Sequence, residues 1–426
     1  MGIFTESFKR NIKIKDKNAM NKTRLRKYAR LIAEKGASVQ KGQQVVISAE
    51  LDQPEFVKIL VEECYKLGAK KVSVEWSYQP LEKLSVKYQS TKTLCTIEDW
   101  QMKKLEHQLD VLPAKIYLTS EDPDGLKGIN QKKYAKARAA RALAVKPIRR
   151  KMENHYQWCI AGVPGADWAK KVFPGMRTST AIEKLWEAIL DTSRVYDDPS
   201  AEWDKHNANF KERCDYLNSL GLRKLIYHSA NGTDFTVGLI PEALFCGGGD
   251  TTVEGVYFNP NIPTEEVFTS PTKGEAEGIV YSSLPLSYGG QLIENFWMRF
   301  KDGKVVESGA EKNAELLTEM LAIDEGASYL GECALVPYSS PIRKSGVLFY
   351  NTLYDENATC HLAVGMGFTN VLRDFEKYTD DEAHAMGIND SVSHVDFMIG
   401  TADLSIIGVD KDGKEHKIFE NGEWAF

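Results

Sequence analysis

Between Lys41 and Trp76 the hydrophobic pattern changes period twice, and two changes over so short a span leave few folds open. Lys41-Gly42 is followed by a short apolar run, Val45-Val46-Ile47, bounded like a buried strand. Phe56, Ile59, Leu60, Cys64 and Leu67 then recur at helical spacing on one face, and the pattern stops at Gly68. Val72, Val74 and Trp76 alternate as a second strand. Strand, helix and strand in that order form a βαβ unit, which belongs in a parallel or mixed sheet covered by helices. Residues 25–32 add a helical face before it; 114–118 and 158–161 read as further strands, and 182–190 as a closing helix. The N-terminal part is expected to be α/β.

The pattern changes at Asp197-Asp198-Pro199-Ser200, the strongest linker signal in the chain. We place a boundary there, giving an α/β domain over residues 1–197 and a β-rich α+β domain over 198–426. A chain of 426 residues, 42% of them hydrophobic, supports two cores of this kind. In the second part, Leu225-Ile226-Tyr227 and Phe235-Thr236-Val237 flank Asn231-Gly232, a pair favoured in two-residue type I′ hairpin turns. Asp302-Gly303 and Asp412-Gly413 mark further turns, and residues 314–321 are the clearest helix. No internal repeat or low-complexity tract is present.

A net charge of -6 argues against a surface built to bind phosphate backbones. The exception is the stretch 132–151, with nine basic residues and no acid. It supports a nucleic-acid-binding reading, but its interleaved alanines fit a helix with a solvated basic face better. Seven scattered cysteines without a CxxC pair read as reduced thiols. Residues 1–17 lack the apolar run of an export signal, and no stretch approaches the roughly 20 apolar residues that span a bilayer. A cytoplasmic protein is expected, in which the sequons at Asn21 and Asn231 stay unmodified.

The residues able to carry chemistry lie in the second half. His394-Val395-Asp396 sits in an apolar run that reads as a strand, so His394 and Asp396 share one face, about 7 Å apart by the strand rise. Such a pair holds a metal ion or forms a structural His–Asp hydrogen bond, the commoner case. His361 opens Leu362-Ala363-Val364-Gly365, and Glu356 lies just before it in Asp355-Glu356-Asn357. Alone, such a histidine is more often a satisfied core residue. Glu332 is surrounded by apolar neighbours, where a charge must be paired or metal-bound. Glu265 and Glu266 read locally as a first helical turn or a solvated acidic patch. Neither a G-x-S-x-G elbow, nor H-E-x-x-H, nor a Walker A loop is present, and Gly247-Gly248-Gly249-Asp250 lacks phosphate-loop spacing. Carboxylates mixed with imidazoles suit Zn, Co or Mn, with Mg possible, and several carboxylates favour a pair of divalent ions.

Four stretches resemble the aminopeptidase T and aminopeptidase S family of bacterial metallopeptidases: residues 261–271 (NIPTEEVFTSP), 331–337 (GECALVP), 356–361 (ENATCH) and 394–400 (HVDFMIG). Gln157-Trp158 and 168–174 (WAKKVFP) extend the likeness into the N-terminal half. The resemblance implies a homodimeric exopeptidase of broad preference that removes single N-terminal residues from peptide substrates with two divalent metal ions. Carried over by position, the ligands are Glu266, Glu332, His361, His394 and Asp396, with Glu356 a sixth. The family pattern also places a helper tyrosine seven residues after the first ligand histidine; Phe368 stands there, leaving Tyr350 or Tyr354 as substitutes. In the mechanism this implies, two ions lower the pKa of a water from 15.7 to about 7, and Glu332 acts as general base. The alternative enzyme is a two-metal amidohydrolase or dipeptidase acting on small amides.

Overall fold

The computed structural model describes residues 22–426. Asn21 and the stretch 1–17 lie outside the described residues. The βαβ unit is present as the strand Gln44–Glu50, the helix Pro54–Lys66 and the strand Lys71–Ser77. Phe56, Val57, Leu60 and Cys64 face the sheet because they return once per turn. Ala114–Thr119 and Trp158–Gly162 extend this first sheet on the other side of Gln44–Glu50, and all pairings are parallel. Strand order therefore reverses between Gln44–Glu50 and Ala114–Thr119, the position at which an open α/β sheet leaves a crevice beyond its carboxyl ends.

Two features differ from expectation. Asp197-Asp198-Pro199-Ser200 is a helix start: the Asp198 side chain accepts from Ala201 N at 3.1 Å, Pro199 occupies the first turn, and the helix runs from Pro199 to Leu220. Its Trp203 is buried in the first hydrophobic core, while Phe210 and Leu217 belong to the second, so the helix spans both. The first sheet also gains a fifth strand, Asn261–Ile262, parallel to Trp158–Gly162, and its core draws in Ile262, Ile342, Phe349 and Tyr354.

The second part is antiparallel. A nine-stranded sheet includes the hairpin Leu222–His228 with Asp234–Leu239. Of its Asn231-Gly232 turn only Gly232 is left-handed, and residues 229–233 form a longer loop closed by Gly232 N to Ser229 O at 3.1 Å. The expected two-residue turn occurs instead at Asp302-Gly303, where both residues have positive φ between paired Lys301 and Lys304. Beside it stands a five-stranded sheet in the order His394–Met398, His361–Gly365, Leu330–Leu335, Val267–Thr269, Cys246–Gly247. The helix Ala314–Leu321 forms where expected. Among the described residues no helix is long and apolar enough to cross a membrane.

Candidate metal centre

Alternation along three strands separates chemistry from packing. Cys333, Leu335, Leu362, Val364, Val395 and Phe397 enter the second core. Burying a large apolar side chain contributes roughly 1.5–3 kcal/mol, so the register of these strands is strongly held. The same register sends Glu332, His361, Ala363, His394 and Asp396 to the opposite face. Glu332 pairs with Ala363 and Ala363 with Asp396, so a methyl group separates two carboxylates in one cross-strand row. Gly365 lies beside His394, at φ +109, where a Cβ would meet Ser393 O at 2.0 Å.

Glu266 immediately precedes Val267, which pairs with Leu335 and so brings the carboxylate alongside the Glu332 strand. The expectation of a helical turn or solvated patch here is wrong, because this is a buried strand entry. Its two acids part company. Glu265 takes a bidentate ion pair from Arg194, at 2.5 and 2.9 Å, while Glu266 Oε2 stands 3.0 Å from His361 Nε2.

The structure brings five of the six expected residues into two overlapping groups: Glu266, Glu332 and His361, and Glu332, His394 and Asp396. Within each group the donor atoms lie within 4.8 Å of one another, and Glu332 belongs to both. His394 Nε2 is 3.1 Å from Glu332 Oε2 and 3.1 Å from Asp396 Oδ1. Glu356, at the end of the short helix Thr352–Glu356, lies outside both groups but lines the same cavity of about 840 Å³.

Both imidazoles are oriented from behind. His394 Nδ1 donates to Met366 O at 2.7 Å and His361 Nδ1 to Thr359 O at 3.3 Å. Since a carbonyl only accepts, each neutral ring keeps its lone pair on Nε2, aimed at carboxylates. His361 Nε2 is buried without a properly directed hydrogen bond despite its 3.0 Å approach to Glu266. A lone pair facing a carboxylate is repelled unless a proton or a metal cation lies between them, so this donor set takes up either, and its mixture of imidazole nitrogens and carboxylate oxygens fits metal ions.

The electrostatics agree. Burial pushes the Glu332 carboxyl up to about 7, with Glu266 and Asp396 adding to the rise. Burial, then Asp396, Glu266 and Glu332, holds Glu356 well above the usual carboxylate range. Burial draws His361 down, but the Glu266 carboxylate outweighs it and raises the ring to about 9. Without a cation the site gathers protons; with one, the same groups are ligands.

Residues 21–424 match the family model described as thermophilic metalloprotease (M29). The chain belongs to the M29 family. Its relatives include aminopeptidase AmpS of Bacillus subtilis, 42% identical over 95% of this chain and 98% of that protein. Aminopeptidase 2 of Geobacillus stearothermophilus is 40% identical over 94% and 98%. The solved structure of wild-type AmpT from Thermus thermophilus superposes with a TM-score of 0.85 at 35% identity, covering 95% of this chain and all of that one. The resemblance carried by the four motifs is thereby borne out: this M29 chain is a metal-dependent peptidase.

Around the M29 site, Phe368 packs against the His394 ring at 4.8 Å and against Phe268 at 5.7 Å, an apolar contact. Tyr350 lines the cavity. Tyr354 does not substitute, because it is fully buried in the first core, stacked on Phe349 with its hydroxyl against Gly162. The Gly247-Gly248-Gly249 loop is a cavity wall, and a Cβ on Gly247 would meet Glu266 O at 2.7 Å.

Sequence reading missed Asn357, which is fully buried. Its Oδ1 accepts from Glu265 N at 2.6 Å, and its Nδ2 donates to Leu353 O at 2.9 Å and to Glu356 Oε1 at 3.3 Å. One amide thus ties the Glu266 strand to the Glu356 helix. His206, 2.8 Å from Thr264 O, braces the same segment. Only the polar cluster Asp355-Glu356-Asn357 ahead of His361 hints at this.

Proposed function

We propose that the protein is an aminopeptidase that removes single N-terminal residues from peptides, with broad preference, using two divalent metal ions. The observation that carries the reading is the pair of overlapping donor groups joined at Glu332, with both imidazoles locked in the tautomer that presents Nε2. Glu266, Glu332 and His361 would hold one ion, and Glu332, His394 and Asp396 the other. Zn, Co and Mn suit this mixture of oxygen and nitrogen donors, and Mg suits its carboxylates. Bound there, such ions would supply Lewis acidity toward a scissile carbonyl and would lower the pKa of a bound water toward about 7.

The chain's own residues do the rest. Glu332, as common member of both groups, acts as the shared ligand. We assign the general-base role to Glu356 in place of Glu332: cations bound beside it would offset the Asp396, Glu266 and Glu332 charges that help keep it protonated, and with its Oε1 receiving Asn357 Nδ2 its other oxygen would take the proton from the attacking water. Phe368, Phe268 and the Gly247-Gly248-Gly249 wall restrict water around the reacting carbonyl.

A leucine p-nitroanilide and its N-acetyl form test the reading with metal-loaded enzyme. Hydrolysis of the free amine alone supports an aminopeptidase; equal hydrolysis of both refutes it in favour of an amidohydrolase. Glu356→Gln should keep its metal and lose about 10²–10⁴ in kcat, whereas Glu332→Gln should lose metal as well. The same reading takes the enzyme to be a cytoplasmic homodimer, which light scattering of the purified protein would check.

A further inference from the structure

The basic stretch 132–151 is the one sequence feature that peptide hydrolysis at the metal centre leaves unused, and the structure divides its cations into two kinds. It forms the helix Gln131–Met152. Lys133 donates to Val86 O and Gln89 O, and Arg141 to Thr96 O. Lys146 and Arg150 pair with Asp390, and Arg150 also with Asp380. These side chains fasten the helix to its surroundings. Arg138, like Lys132, Lys136, Arg149 and Lys151, makes no hydrogen bond or ion pair among the described residues, and its guanidinium stacks over the Tyr134 ring at 5.7 Å; unlike those four it lines the cavities.

Arg138 lines the 840 Å³ cavity that holds Glu266, Glu332, Glu356, His394 and Asp396. It also lines the adjoining cavity of about 450 Å³, which shares His394 and Asp396 with the first. Among the described lining residues of both it is the only lysine or arginine, while the first cavity's walls also carry Glu50, Glu82, Glu121, Asp122 and Asp250 and the second's Glu319. A peptide whose amino end sits at the metal centre must place its other end along these walls. A free C-terminal carboxylate is repelled by these acids and has one cationic side-chain partner among the lining residues, the planar fork of Arg138, whose geometry matches it.

We infer that Arg138 is the anchor for the C-terminal carboxylate of short peptide substrates, so that the enzyme favours small peptides with a free C-terminus. This rests on the aminopeptidase reading and gives it a substrate class. Tyr134, which donates to Glu82 Oε1 at 2.8 Å, supports the guanidinium from below and keeps that acid occupied. A peptide too long to end at Arg138 forfeits the contact and binds through its amino end alone.

The test compares a tripeptide such as Leu-Gly-Gly with its C-terminal amide, using metal-loaded full-length protein and the variants Arg138→Gln and Arg138→Lys. Charge-assisted pairing predicts a KM about tenfold lower for the acid than for the amide, with the difference carried by KM rather than kcat. In Arg138→Gln the ratio should fall to about one; Arg138→Lys, with charge but no fork, should keep part of it. Thermal unfolding of each variant separates loss of fold from loss of the contact. Equal KM for acid and amide in the natural protein, or a ratio preserved in Arg138→Gln, overturns the anchor alone. Failure of the natural protein to cleave either peptide overturns the aminopeptidase reading and the anchor with it.

Discussion

Two sets of carboxylates face one cavity, and they are held in opposite ways. On the N-terminal side, Glu50 Oε2 accepts from Gln79 N at 3.1 Å, Glu121 Oε2 from Ser120 N at 3.0 Å, and Asp122 Oδ1 from Asp124 N at 3.0 Å. Those acids cap loops at the carboxyl ends of parallel strands, where backbone N–H groups are in surplus. On the C-terminal side, Glu266, Glu332 and Asp396 face imidazole nitrogens whose opposite ring positions are already spent on carbonyls. An acid satisfied by N–H groups is structural; an acid aimed at a lone pair is waiting for a cation. Composition alone does not distinguish the two sets, because both are rich in carboxylates.

The contrast breaks most visibly at Glu332. Glu332→Ala removes a member of both groups, so metal analysis should show both ions lost and peptidase activity reduced at least about a thousandfold. Retention of one tightly held ion would mean that Glu332 is not shared. Asn357→Ala acts indirectly, by freeing the Glu266 strand and the Glu356 helix, and should weaken metal affinity about 10–100-fold in a titration of metal-free protein.

Acidity sharpens the comparison further. In metal-free protein, His361 is raised from 6.5 to about 9 and Glu332 from 4.5 to about 7. Each favours its protonated form more in the folded than in the unfolded state. The stability from Glu332 is complete below pH 4.5 and lost through pH 7; that from His361 is complete below 6.5 and lost through 9. The melting temperature of metal-free protein should therefore fall by several degrees between pH 5 and 9. Metal-loaded protein should resist the fall, since ligation replaces the protons. The smallest effect belongs to the other wall: Glu121→Gln should leave metal content unchanged and shift unfolding by no more than about 1 kcal/mol.

How much of this was legible in the sequence follows the range of the interactions. The βαβ unit and the strand 394–398 were readable because period and alternation are local. The sheet proved wholly parallel, the simpler of the two forms expected. Asn261–Ile262 was invisible as a strand, since two residues carry no period and its partner lies about a hundred positions earlier. Asp198-Pro199 reads locally as a linker although Asp followed by Pro equally starts a helix; the buried Trp203 and Phe210 further along decide between them. Glu266 looked solvated because only the pairing of Val267 with Leu335 buries it. The convergence of residues between 266 and 396 came from likeness to a family, not from any local rule.

The central claim is that two cations lie side by side with Glu332 between them. Anomalous diffraction from crystals grown with Mn or Zn measures this most directly. The account predicts two peaks per chain, one contacting Glu266 and His361, the other His394 and Asp396, with Glu332 contacting both. A single peak, or ions held away from Glu332, would contradict it.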